Sequence, residues 1–78
     1  MIIKKATLKR YIKSKKDWVR VTKDALDKMQ EDLEKIIDAY ITFTLENVIL
    51  NRRKTVTERD LPIVEIRFED FKTIITLK

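Results

Sequence analysis

Residues 23–50, KDALDKMQEDLEKIIDAYITFTLENVIL, constrain everything else in this chain. Neither glycine nor proline interrupts the stretch, and Leu26, Met29, Leu33, Ile36, Tyr40 and Phe43 recur at the 3–4 spacing of one helical stripe. Thr22 offers an N-cap hydroxyl, and Asp24 and Asp27 complement the positive helix end. Ala25, standing where Glu or Gln would complete a capping box, leaves that box open. The pattern predicts one helix from Lys23 to Leu50. At a rise of about 1.5 Å per residue it reaches roughly 42 Å. A compact monomer of 78 residues is only about 30 Å across. The helix outruns its own domain.

Its surface also changes along its length. From Ala39 onward the polar residues shrink to Thr42, Thr44, Glu46 and Asn47, while Ile37, Ile41, Leu45, Val48 and Ile49 add a second apolar stripe. A helix apolar on most sides must be covered on most sides. Short flanking segments cover one face, and a second copy crossing the middle covers the other. The expected dimer interface is Leu33, Ile36, Ile37, Tyr40, Ile41, Phe43, Leu45 and Val48. Such a dimer has little stable folded monomer.

Composition narrows the function. The chain has no cysteine and no histidine, which excludes disulfides, thiol chemistry and zinc sites of the usual ligand types. Adjacent carboxylates such as Glu31/Asp32 and Glu69/Asp70 lie on polar faces as solubilising charges. No catalytic residue, metal ligand, cofactor or small-molecule substrate is expected, and the chain reads as a non-enzyme. There is no glycine either, so phosphate-cradling glycine loops are absent and Asn51 is the expected left-handed cap of the long helix. The opening MIIKK is too short an apolar run for a signal peptide, and no segment reaches membrane-spanning length. A soluble cytoplasmic protein is the expectation.

Net charge is +5, and its distribution matters more than its sum. Half of the 18 basic residues fall between Lys4 and Lys23, where Asp17 is the only acid. Such a block suits a polyanion, and it equally suits a plain solvated face.

A shorter basic helix is predicted from about Lys5 to Lys15, docked by Leu8, Tyr11 and Ile12, with Lys9, Arg10 and Lys13 outward. Trp18, Val19 and Val21 then read as an apolar anchor in a loop, with Trp18 as a base-stacking platform the less favoured alternative. The tail carries two periods. Leu61, Val64, Phe68, Phe71 and Ile75 follow helical spacing, whereas VEIRF alternates and TIIT is β-branched. Helix is favoured for 61–68, with residues 66–78 open between a helix extension and a strand.

The order short helix, loop, long helix, basic loop, short helix resembles the histone fold. RVTKDAL at 20–26 and RRKTVTERDL at 52–61 are similar to the loops that flank the central helix of archaeal histones, and KATLKRYIK resembles their first helix. The resemblance covers residues 5 to about 64 with no gap between the two loop motifs. It implies an all-α histone fold, one domain over residues 1–78 with a core of about 5–68 and an extension at 69–78. It further implies an intertwined handshake homodimer with antiparallel central helices. Double-stranded DNA is the implied partner, bent or compacted with little sequence preference, in the nucleoid. Carried over by position, Arg10, Arg20, Lys54 and Thr55 are the implied DNA contacts, and Lys9 and Lys13 join them from charge and helical facing. Arg53 and Asp60 match an ion pair within the subunit, for which simple helix capping by Asp60 is the alternative.

The chain departs from the family pattern in three ways. Asn47 and Leu50 replace the leucine and histidine of members that stack into superhelices, which argues against stacking of that form. Arg52 stands at the capping glycine, and Pro62 precedes a tail longer than usual that could assemble tetramers. Two other functions compete: a histone-fold subunit of a transcription or repair complex that binds protein first, and a basic amphipathic peripheral-membrane protein using Lys4 to Lys16.

Overall fold

The computed structural model describes residues 2–78. It contains α1 (Lys5–Lys15), α2 (Lys23–Leu50), a single 3-10 turn (Glu58–Asp60), and strands β1 (Val64–Glu69) and β2 (Lys72–Leu77). The chain groups into two compact units, Met1–Asp38 and Ala39–Lys78, and α2 contributes to each.

In the first unit, α2 starts at the Thr22 cap: the Ala25 amide donates to Thr22 Oγ1 at 3.2 Å, and the Leu26 amide to the Thr22 carbonyl at 3.1 Å. The first bond satisfies one of the donors that every helix start leaves without an internal partner, and the second is the first backbone bond of the helix itself. Lys5, at the start of α1, forms an ion pair with Asp27 of α2. That contact, foremost its hydrogen bond, holds the Asp27 carboxyl below its ordinary pKa. Buried Gln30 donates to the Ile3 carbonyl, which secures the segment before α1. Leu8 and Ile12 of α1 are half-buried. Tyr11 does not dock as expected; it is exposed, and the Lys15 ammonium lies 5.3 Å from its ring centroid. Trp18 is likewise no buried anchor. It is 76% exposed, while Val19 and Val21 are half-buried.

In the second unit, α2 ends by a Schellman-type exit. The Arg52 amide bonds to the Ile49 carbonyl and the Arg53 amide to the Val48 carbonyl, both at 3.0 Å. This closure needs a left-handed residue just past the helix. Arg52 takes that role at φ 54°, in place of the expected Asn51. Asn51 instead turns its side-chain amide back to the Asn47 carbonyl, 2.8 Å away.

The tail corrects the all-α expectation and the helix favoured at 61–68. The third helical element is one 3-10 turn, followed by an antiparallel hairpin that pairs Val64 with Leu77 through Glu69 with Lys72. Asp70 (φ 49°) and Phe71 (φ 62°) make its two-residue turn. Both central residues at positive φ give a type I′ geometry, whose twist matches that of the flanking strands. The period of two therefore wins over the helical spacing. Of that helical series Leu61 and Phe71 lie outside both strands, whereas Val64, Phe68 and Ile75 lie within them.

Among the described residues Val48, at 5% exposure, and Pro62 are the only buried apolar side chains. Ile41, Leu45 and Ile49 of α2 are exposed. Leu33, Ile36, Ile37, Tyr40 and Phe43 are half-buried. No helix among the described residues is long and apolar enough to cross a membrane.

Candidate nucleic-acid interface

The basic face of α1 follows from helical spacing. Lys9 and Lys13 are one turn apart, Arg10 lies between them, and the three line one shallow depression with Ala6. The first turn of α1 carries no acid and its last turn carries Lys13 and Lys15. All three predicted contact residues are exposed. Arg20 is exposed in the loop between α1 and α2, flanked by half-buried Val19 and Val21. That arrangement fixes the backbone on either side of a free guanidinium.

The loop leaving α2 is built around Asp60, which is 1% exposed. A buried carboxylate must have its charge matched and its lone pairs filled, and this one does. Arg53 grips it with both terminal nitrogens: Nη1 donates to Oδ2 at 3.0 Å, and Nη2 donates to Oδ1. The backbone amide of Thr57 donates to Oδ2 at 2.7 Å, and the Thr57 hydroxyl lies 3.2 Å from the same oxygen. Arg53 Nη1 also reaches Thr57 Oγ1 at 3.3 Å. The side-chain amide of Asn47 donates to the Asp60 carbonyl at 3.0 Å, tying the loop to α2.

The electrostatics follow the geometry. The Arg53 guanidinium, followed by the Thr57 amide, holds the Asp60 carboxyl below its ordinary range against the opposing effect of burial. Asp60 in turn raises the Arg53 pKa. Asp60 both pairs with Arg53 and caps the 3-10 turn through Thr57, so the two readings of this residue coexist.

Lys54 and Thr55 lie between the two points that this cluster pins, Arg53 and Thr57, and both are exposed. Among the described residues Lys5, Lys28, Lys35, Arg53, Arg67 and Lys78 take part in ion pairs, whereas the other twelve of the 18 basic residues, Lys9, Arg10, Lys13, Arg20 and Lys54 among them, do not. The cations therefore divide into braces and free charges. The α1 cations cluster, Lys54 and Thr55 are neighbours, and Arg20 stands apart in its own loop.

Sequence reading passed over two parts of the Asp60 cluster. Thr57 was visible in principle, because T-x-x-D is a capping spacing. Asn47, read only as a replacement at a stacking position, had no local signal, since its partner lies thirteen residues away.

Comparison with known families gives a match to "Histone-like transcription factor (CBF/NF-Y) and archaeal histone" over residues 1–64. Neither the curated proteins nor the solved structures contain a match to the chain.

Proposed function

Because the chain belongs to the family of histone-like transcription factors (CBF/NF-Y) and archaeal histones, we propose that it is a non-enzymatic histone that binds duplex DNA as a homodimer. The observation that carries this reading is the division of charge in the exit loop. Arg53 is neutralised inward on buried Asp60, while Lys54 and Thr55 are left outward on a braced segment. A loop meant only to be soluble has no need of a buried carboxylate to orient it.

The dimer forms through α2, with Leu33, Ile36, Ile37, Tyr40, Ile41, Phe43, Leu45 and Val48 facing the partner helix in antiparallel crossing. Two buried apolar side chains, Val48 and Pro62, cannot stabilise a domain of this length. Residues 1–78 then act as one histone-fold domain that a second copy completes. Crossing places the first loop of one subunit beside the exit loop of the other, so that Arg20, Lys54 and Thr55 form one cationic edge. Lys9, Arg10 and Lys13 of paired first helices extend it. These groups neutralise phosphates and release counterions, and none reads a base. Preference among sequences comes from how readily DNA bends. The protein works on the chromosome, in the nucleoid.

Two measurements test this. Sedimentation equilibrium should return the mass of a dimer or a multiple of it, and not that of a single chain. Fluorescence anisotropy with unrelated duplexes should give similar affinities that fall steeply with salt and vanish in Arg20→Glu/Lys54→Glu. Binding that ignores salt or survives the double reversal would overturn the proposal.

A second reading, a histone-fold subunit that binds protein first, draws on the hairpin, where Ile66, Phe68 and Phe71 are exposed. It predicts a purified chain that is poorly folded until a different partner is added.

A further inference from the structure

The hairpin lies almost wholly beyond residue 64, where the family match ends, so it needs an explanation of its own. A two-stranded hairpin is marginal in water, and a third strand or a packed helix is normally required. No third strand joins β1 or β2 among the described residues. Ile66 is 67% exposed, with Val64 and Phe68 exposed beside it.

The backbone shows which edge is available. Ile63 and Lys78 exchange both backbone hydrogen bonds, at 2.7 and 2.9 Å. Antiparallel pairs alternate between bonded and non-bonded, so with the observed register the bonded pairs continue at Glu65/Thr76, Arg67/Ile74 and Glu69/Lys72. The N–H and C=O groups of Val64, Ile66 and Phe68 therefore point away from β2. That row of unpaired groups is a template for another strand.

We infer that the free edge of β1 pairs antiparallel with β1 of a second copy of this chain, centred on Ile66, to make a four-stranded sheet in the order β2-β1-β1-β2. About this centre Ile66 opposes itself and each Val64 opposes a Phe68, a favourable β-branched and aromatic pair. These are the residues whose backbone groups are free, so every bond along the seam is made. Glu65 of one copy then faces Arg67 of the other at both non-bonded positions, where side chains approach most closely.

Charge selects this arrangement against its rivals. Centring on Glu65 or Arg67 places a carboxylate opposite a carboxylate. Centring on Phe68 runs the pairing into the Asp70–Phe71 turn. Pairing through β2 about Ile75 sets Lys72 against Lys78. Like charges directly opposite are destabilising. Within one chain Arg67 already lies 3.4 Å from Glu65 and 3.6 Å from Glu69, so these charges share one face of the hairpin, opposite the apolar row.

The test uses the absence of cysteine in the chain. Ile66→Cys brings two thiols together across the seam at a Cα separation of about 5.5 Å, within disulfide reach. Mild oxidation should yield a covalent dimer on a non-reducing gel, whereas Ile75→Cys, its neighbour on β2, should not. Sedimentation velocity of Arg67→Glu should show a smaller assembly with unchanged circular dichroism, and Glu65→Arg/Arg67→Glu, which restores opposite charges at the seam, should regain the larger one. No cross-link at Ile66, equal cross-linking at Ile75, or Arg67→Glu assembling like the parent would overturn the inference. So would a thiol at 66 protected only on adding duplex DNA or another protein. The cross-link reads Ile66 alone, so it stands or falls apart from the α2 dimer and from DNA binding.

Discussion

Replacing Lys54 with alanine should change the salt response of DNA binding by a defined amount. Lys9, Arg10, Lys13, Arg20 and Lys54 are free of ion pairs among the described residues, and a dimer presents each twice. If each meets one phosphate, about ten contacts give a slope near −9 for log K against log salt concentration. Lys54→Ala removes one contact per subunit, which brings the slope to about −7. Between about 50 and 200 mM salt the parent should then lose roughly 3 × 10⁵ in affinity and the variant roughly 2 × 10⁴. The assay is anisotropy of a labelled duplex across that range, with Lys28→Ala as the control. Lys28 bonds to Asp32 at 2.6 Å one turn along α2, so its loss should leave the slope unchanged. An unchanged slope in Lys54→Ala, or an equal change in Lys28→Ala, would refute the division of cations into free charges and braces.

Three further outcomes follow from the local geometry. Asp60 has a lowered folded pKa, so its contribution to stability is complete above the ordinary carboxylate value of about 4 and fades as pH falls through the lower folded value. Acid titration by circular dichroism should show Asp60→Asn less stable at neutral pH and without that acid-dependent loss. Thr22→Ala removes the α2 cap and should cost about 1 kcal/mol in urea unfolding; no measurable change would show the cap to be idle. Phe71→Gly relieves a left-handed aromatic residue at the hairpin turn, worth about 1 kcal/mol, and should slow exchange of the Arg67 and Glu69 amides about fivefold. Faster exchange would mean that the Phe71 ring, 95% exposed in the single chain, is held by contacts the turn alone does not show.

The helices were legible because their signals are local. Thr22 caps, 3–4 periodicity runs without a breaker, and the observed bounds of α1 and α2 agree with those signals. The tail was not legible in the same way, because two periods overlapped and the turn lacks its usual marker. An Asn-Gly or Asp-Gly pair would have announced a hairpin, but Asp70-Phe71 does not. Arg52 shows the same effect at the end of α2. In a chain without glycine, left-handed positions fall to residues that composition cannot flag.

The candidate site divides similarly. The resemblance pointed to Arg53 and Asp60, and the structure adds Thr57 and Asn47 around them. Trp18 and Tyr11 misled because burial was inferred from hydrophobicity alone. Whether such a ring is covered depends on what else is present, and for one chain it is not.

That Val48 and Pro62 are the only buried apolar residues among those described bears on abundance in the cell. If a second copy completes the core, as proposed, the chain is open to proteases until it meets another, and at low concentration the paired population grows with the square of the chain concentration. Halving synthesis would then remove about three quarters of the assembled protein. Occupancy of DNA would respond to expression as a threshold, with unpaired copies cleared before they can bind singly.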